Sequence, residues 1–243
     1  MKRWLLISLI GLSMLLTGCT GSASTAEKKL AENEQAFTWW ADRTKEFGSY
    51  DYQVTEEEAF KDLEERFEVS LLPSFEKAQK IIDTAFLKNG RSAKPRDYFF
   101  YASNKGLIVT NILRFKGEDQ GTTSYGKIVE TYDYLPELKK VKVASQRIEL
   151  HNETVNNQYN GNDLMTTLTE LGTLLEIDDF SKYLDTFKET VKEPEALGNK
   201  DIVIYENYKE GKKAGTFGKL LGVKYAETGV VSQIYAVTYD YRR

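Results

Sequence analysis

Asn104-Lys105-Gly106-Leu107-Ile108-Val109-Thr110-Asn111-Ile112-Leu113-Arg114-Phe115-Lys116 is the stretch that decides the fold class. Leu107, Val109, Asn111, Leu113 and Phe115 occupy every second position, and four of the five are apolar. That is the period of a strand with one face in a core and one facing water. Asn104-Lys105-Gly106 before it and Gly117 to Gly121 after it carry the turn chemistry of hairpins. Working outward, Asp97 to Ser103, Thr122 to Leu135 and Leu138 to His151 read as three further strands. The last changes its apolar face between Val143 and Ile148, which predicts a bulge. Strands joined by such short turns pair antiparallel.

On either side of this block the period becomes helical. Upstream, Leu30, Phe37, Trp40, Ala41, Thr44 and Phe47 fall near one stripe and predict a helix over Ala26 to Phe47, stopped by Gly48. Thr55 with Glu58 forms a capping box ahead of Ala59, Phe60, Leu63 and Phe67. Pro73 interrupts that pattern. A third helix is predicted from Ser74 to about Lys88, with Phe75, Ala78, Ile81, Ile82, Ala85 and Phe86 inward and Asn89-Gly90 as its stop. Downstream, Asn152 to Asn162 is a polar connection. Leu164, Leu168, Leu171, Leu174 and Leu175 make one apolar face. Asp178 or Asp179 then caps a helix carrying Phe180, Tyr183, Leu184, Phe187 and Val191, stopped at Pro194. Asp201 to Tyr208, Thr216 to Ala226 and Val230 to Tyr241 finish the chain as strands, the last two joined at Thr228-Gly229. The order helices, sheet, helices, sheet is an α+β fold with helices packed on antiparallel sheet. Residues 26–152 and 153–243 form two similar halves, readable as two small domains or as one. Short matches link them: Ile82-Asp83-Thr84 with Leu184-Asp185-Thr186, and Thr131-Tyr132-Asp133-Tyr134 with Thr238-Tyr239-Asp240-Tyr241. Chance among common residue types accounts for these matches as well as duplication does.

The N-terminus reads differently. Lys2 and Arg3 precede an apolar run from Trp4 to Leu16, broken only by Ser8, Gly11 and Ser13. The layout is that of a secretory signal. The run is too short to span a bilayer, which takes about 20 residues. It ends in Leu16-Thr17-Gly18-Cys19, and Cys19 is the single cysteine of the chain. This segment resembles the lipobox of bacterial lipoproteins. The resemblance implies a signal peptide over residues 1–18, cleavage between Gly18 and Cys19, and a diacylglycerol thioether on Cys19. It also implies a lipidated tether over residues 19–25 and an extracytoplasmic body held at the cell membrane. Two acyl chains give stable attachment where one gives only marginal binding, since each buried methylene contributes about 0.8 kcal/mol. No cofactor beyond that lipid is expected.

The formal net charge is −4, and loss of Lys2 and Arg3 with the leader makes it −6. An acidic body argues against nucleic acid as a partner and against lying flat on an anionic bilayer. Lysines outnumber arginines, 24 to 9, a bias common in low-GC genomes that points to a Gram-positive source.

Catalytic signatures are sparse. His151 is the lone histidine, so a zinc site with two histidines is excluded, and its place at a strand end beside a polar loop reads as packing. Acidic runs such as Glu56-Glu57-Glu58 and Glu64-Glu65 read as solvated helix faces. Gly211 to Gly222 lacks the Gly-Lys-Ser/Thr element of a phosphate loop and reads as strand. The aromatic residues are left. Tyr235, Tyr239 and Tyr241 share one face of the last strand, as a core-filling row or as a contact surface. The leading expectation is a non-enzymatic binding module at the cell envelope, with those three tyrosines meeting a protein, peptide or glycan. A solute-binding lipoprotein of a transporter is the alternative, and a cell-envelope hydrolase a third.

Overall fold

The computed structural model describes residues 30–38, 40–87, 95–117, 121–154 and 157–242. The signal segment, Gly18, Cys19, the tether, the start of the predicted first helix and the Asn89-Gly90 stop lie outside the described residues. The fold is α+β. In chain order the elements are α1 (Glu32–Ala36), β1 (Trp40–Asp42), β2 (Tyr50–Val54), α2 (Glu56–Lys61), α3 (Pro73–Phe86), β3 (Asp97–Ser103), β4 (Gly106–Lys116), β5 (Thr122–Leu135) and β6 (Lys140–Asn152). Then follow α4 (Leu164–Leu174), α5 (Phe180–Thr190), β7 (Asp201–Glu206), α6 (Tyr208–Ala214), β8 (Phe217–Tyr225) and β9 (Val231–Asp240).

The strands form one antiparallel sheet in the order β2-β3-β4-β5-β6-β9-β8-β7, and β1 pairs with the start of β6. Because β6 and β9 are neighbours, the two helix-then-sheet halves share this sheet. β4 alternates as its sequence predicts: Leu107, Val109, Asn111, Leu113 and Phe115 are buried, and the residues between them are half-exposed. Asn104-Lys105 is the two-residue turn joining Ser103 to Gly106. The predicted bulge is at Ala144, since Thr131 faces Ser145 while Tyr132 faces Val143. Helices α2 to α5 lie on one face. There α3 seats Ile82 against Gly126 of β5, where a Cβ would come within 2.2 Å of an Ile82 methyl. Only glycine lets the helix approach that closely.

Several sequence expectations are corrected. Among the described residues of the predicted helix over 26–47, only the five of α1 are helical, and β1 follows them. α1 is clamped where it lies: the Asn33 amide donates to Leu174 O at 2.6 Å, and buried Lys219 pairs with Glu34 at 2.8 Å. Beyond it the chain pairs with Lys140–Lys142 of β6, so ladder hydrogen bonds override the helical stripe. The edge strand β2 was not foreseen. Thr55 and Glu58 do form the capping box, but Phe60 is half-exposed while Ala59, Leu63 and Phe67 are buried. The stripe runs i, i+4, i+8 and Phe60 sits one step off it. From Asp62 to Phe67 the helix widens into a π-helical segment, ending at Glu68 in the left-handed conformation (φ 52°). Pro73 does not interrupt a helix; it is the first residue of α3, where a missing N–H costs nothing. Asp179 occupies the N-cap position of α5 but makes no capping hydrogen bond; its carboxylate takes Lys182 instead. Tyr208 and Gly211 belong to helix α6, not to strands, and Gly215 closes that helix at φ 63°.

Under the start of α3 lies a buried carboxylate. Glu130 of β5 is fully buried and accepts from the Leu72 N–H at 3.2 Å and from Gln146 Nε2 at 2.8 Å. The Tyr132 hydroxyl sits 2.6 Å from Glu130 and 3.0 Å from the Ser70 carbonyl. The segment 68–72 is thereby tied to the sheet.

Candidate functional site

Two surfaces have the form of a binding site, one on each side of the sheet. The first is the face turned away from α2 to α5, across β5, β6, β9 and β8. Register places Tyr235, Val237 and Tyr239 opposite Glu149, Arg147 and Ser145 of β6. Tyr235 lies flat over Gly222 of β8, where a Cβ would approach its hydroxyl to 2.3 Å. Its hydroxyl donates to Asp201 at 2.6 Å, Lys224 lies 5.4 Å over its ring, and only 9% of it is exposed. Burial, then the Asp201 carboxylate, pushes the Tyr235 phenol well above its ordinary range. Tyr239 and Tyr241 stack at 5.7 Å, both half-exposed, and Arg147 of β6, paired with Val237, lies beside Tyr239. Tyr241 runs over Gly218, where α6 comes down on the sheet through Tyr208. The three sequence-predicted tyrosines thus share a face, as expected. Tyr235 is locked by its own neighbours, while Tyr239 and Tyr241 keep ring surface available.

Beside them is an ionic cluster. His151 stacks on Tyr125 at 4.3 Å, its Nε2 lies 3.1 Å from Glu149, and Lys127 and Arg147 approach the same carboxylate at 3.8 and 3.2 Å. The hydrogen bond from His151, with Lys127 and Arg147 behind it, holds the Glu149 carboxyl down at about 2. His151 is a packed strand-end residue, as read from the sequence.

The second surface is a groove of about 970 Å³ between α2 with its π-helical extension, segment 68–72 and α3. Buried Phe75 and half-exposed Phe60 line it, and the Phe60 ring lies 6.0 Å from that of Tyr98. At one end Arg96 is held by Glu56 (3.4 Å), Asp83 (3.4 Å) and Gln79 (3.1 Å). Gln79 donates onward to buried Asn111 at 3.0 Å. The rim carries Glu64, Glu68 and Glu76, all exposed. Sequence reading missed this groove. The acidic runs looked like an ordinary wet face, and Phe60 looked like core. The available signal was that Phe60 stands one residue off the stripe of Ala59, Leu63 and Phe67.

Among the described residues no group of three or more histidine, aspartate or glutamate side chains is arranged to hold a metal. Nor is any described helix long and apolar enough to cross a membrane. Comparison with known proteins finds no significant match to this chain among family models, curated proteins or solved structures.

Proposed function

We propose that this protein is a lipid-anchored, extracytoplasmic binding module, tethered through Cys19 and meeting a protein, peptide or glycan partner at the cell envelope. The leader ending in Leu16-Thr17-Gly18-Cys19 supports the placement. The binding role is carried by one observation: the helices α2 to α5 cover one face of the sheet, and the other presents Tyr239 and Tyr241 stacked beside Arg147. Stacked tyrosines beside an arginine are the residue types that dominate the energetics of contact surfaces.

Two measurements test this. Mass spectrometry of the native protein should find a chain that starts at Cys19 and carries diacylglycerol; an unacylated chain beginning at Met1 overturns the placement. Crosslinking on intact cells should capture the same partner with wild type and with a Lys188→Ala control, but not with Tyr239→Ala/Tyr241→Ala at equal abundance. Unchanged capture by the double variant overturns the contact surface.

A further inference from the structure

We infer that the groove between α2 and α3 is a docking site for a basic, amphipathic polypeptide segment, one that buries an apolar side chain against Phe60 and sets lysines or arginines on the acidic rim. The inference rests on reading the protein as a binding module, but uses a different surface from the tyrosine face.

Phe60 is the first observation. It projects from a capped helix, is 50% exposed, and lines the groove with Leu71 and Phe75. A large aromatic ring left half in water beside a groove is the anchor type found at the centre of interfaces. Charge is the second. Arg96 faces Glu56 and Asp83, so its charge is spent within the protein. That leaves Glu64, Glu68 and Glu76 lining the groove with Lys80, and with Arg43 behind Glu68, a net negative rim that a cationic occupant answers. The same excess disfavours two other occupants: a second copy of this acidic chain, and an anionic membrane surface. The third observation is Glu68 itself. It holds a left-handed backbone at φ 52°, a conformation that glycine adopts at less cost. The fold alone would favour glycine there, and the chain keeps an exposed glutamate in the groove's lining.

The test uses the full-length lipidated protein in non-ionic detergent. The probe is a short lysine–leucine peptide carrying one benzoylphenylalanine, with a glutamate–leucine peptide of the same pattern as control. Photocrosslinking followed by peptide mapping should place adducts of the basic probe on residues 56–80, more weakly at high salt, and the acidic probe should give none there. Phe60→Ala should lower crosslinking about tenfold. Glu68→Gly should melt no lower than wild type and still lose several-fold in crosslinking, which separates a binding role from a folding one. Charge reversal at Glu64 and Glu76 should abolish the adducts, while the same reversal at Glu189 and Glu195, far from the groove, should leave them. Adducts spread over the surface, adducts confined to β6 and β9, equal labelling by the acidic probe, or full labelling of Glu68→Gly would each overturn the groove. None of these touches the Tyr239–Tyr241 reading, which stands or falls on its own double variant.

Discussion

Glu130 and Glu149 sit on adjacent strands of one sheet, and the two faces treat the same side chain in opposite ways. On the helix-covered face Glu130 is fully buried among neutral partners, the Tyr132 hydroxyl, the Gln146 amide and the Leu72 N–H. Desolvation wins over those hydrogen bonds and pushes its carboxyl up to about 7. On the other face Glu149 is almost as enclosed, at 7% exposure, but what encloses it is His151, Lys127 and Arg147, and its carboxyl is held at about 2. Burial alone therefore does not set the state of a carboxylate here; the charge of what buries it does. What surrounds Glu130 is neutral hydrogen bonds and apolar packing; what surrounds Glu149 is ion pairs and the stacked His151 ring.

The largest expected effect comes from breaking the covered side. Glu130→Ala removes the acceptor for a backbone N–H, an amide and a hydroxyl at once, and frees segment 68–72 from the sheet. Leaving several buried polar groups unsatisfied costs about 3 kcal/mol or more. Urea unfolding near pH 5, where the native carboxyl is protonated, should show this as a lower midpoint. Glu130→Gln keeps the shape and an acceptor and should lose much less. If alanine and glutamine cost the same, the network does not tie down the loop.

The next effect is the opposite pH dependence of the two glutamates. The folded pKa of Glu130 lies above its ordinary 4.5, so the native state binds a proton that the unfolded chain has already released. Its stabilising contribution is complete below about pH 4.5 and is lost as pH rises towards 7. The folded pKa of Glu149 lies below 4.5, so its contribution is present above about pH 4.5 and is lost as pH falls towards 2. Each span is worth up to about 3 kcal/mol, and the Glu149 value is closer to about 2 because water reaches its cations. Melting temperature against pH should fall on both sides of a maximum near pH 4.5 to 5 as far as these two groups decide it. Glu130→Gln should flatten the alkaline limb and Glu149→Gln the acidic one. A shared limb affected by both variants would show that the faces are not independent.

How far the sequence foretold this arrangement follows the same division. The strands β3 to β6 and β7 to β9 were legible, because alternation such as Leu107 to Phe115 and turns such as Thr228-Gly229 are local. So was the bulge at Ala144, where the apolar face switches. What was not legible depends on distant partners. β1 exists because Trp40–Asp42 meets Lys140–Lys142 about a hundred residues on, and no local pattern records that pairing. The groove arises from a π-helical turn and a left-handed glutamate, neither of which has a compositional signature. Tyr132 and Tyr239 look alike in their Thr-Tyr-Asp-Tyr settings, yet one faces the helices and the other faces away.

That last contrast yields the smallest effect and the finest test. Tyr132→Phe and Tyr235→Phe each remove one hydroxyl from a mostly buried ring. The Tyr132 hydroxyl bridges Glu130 and the Ser70 carbonyl inside the covered face, so its loss takes a buried hydrogen-bonding group from both. The Tyr235 hydroxyl reaches only Asp201, whose side chain is 49% exposed and also neighbours Lys224 at 4.0 Å. Solvent can take over there. Tyr132→Phe should therefore cost about 2 kcal/mol, and Tyr235→Phe less than about 1 kcal/mol. Paired chemical melts at one pH measure the difference directly. Equal costs would mean that water enters beneath α3 as freely as it wets the outer strands, and the contrast between a neutral and an ionic setting would no longer explain the two glutamates.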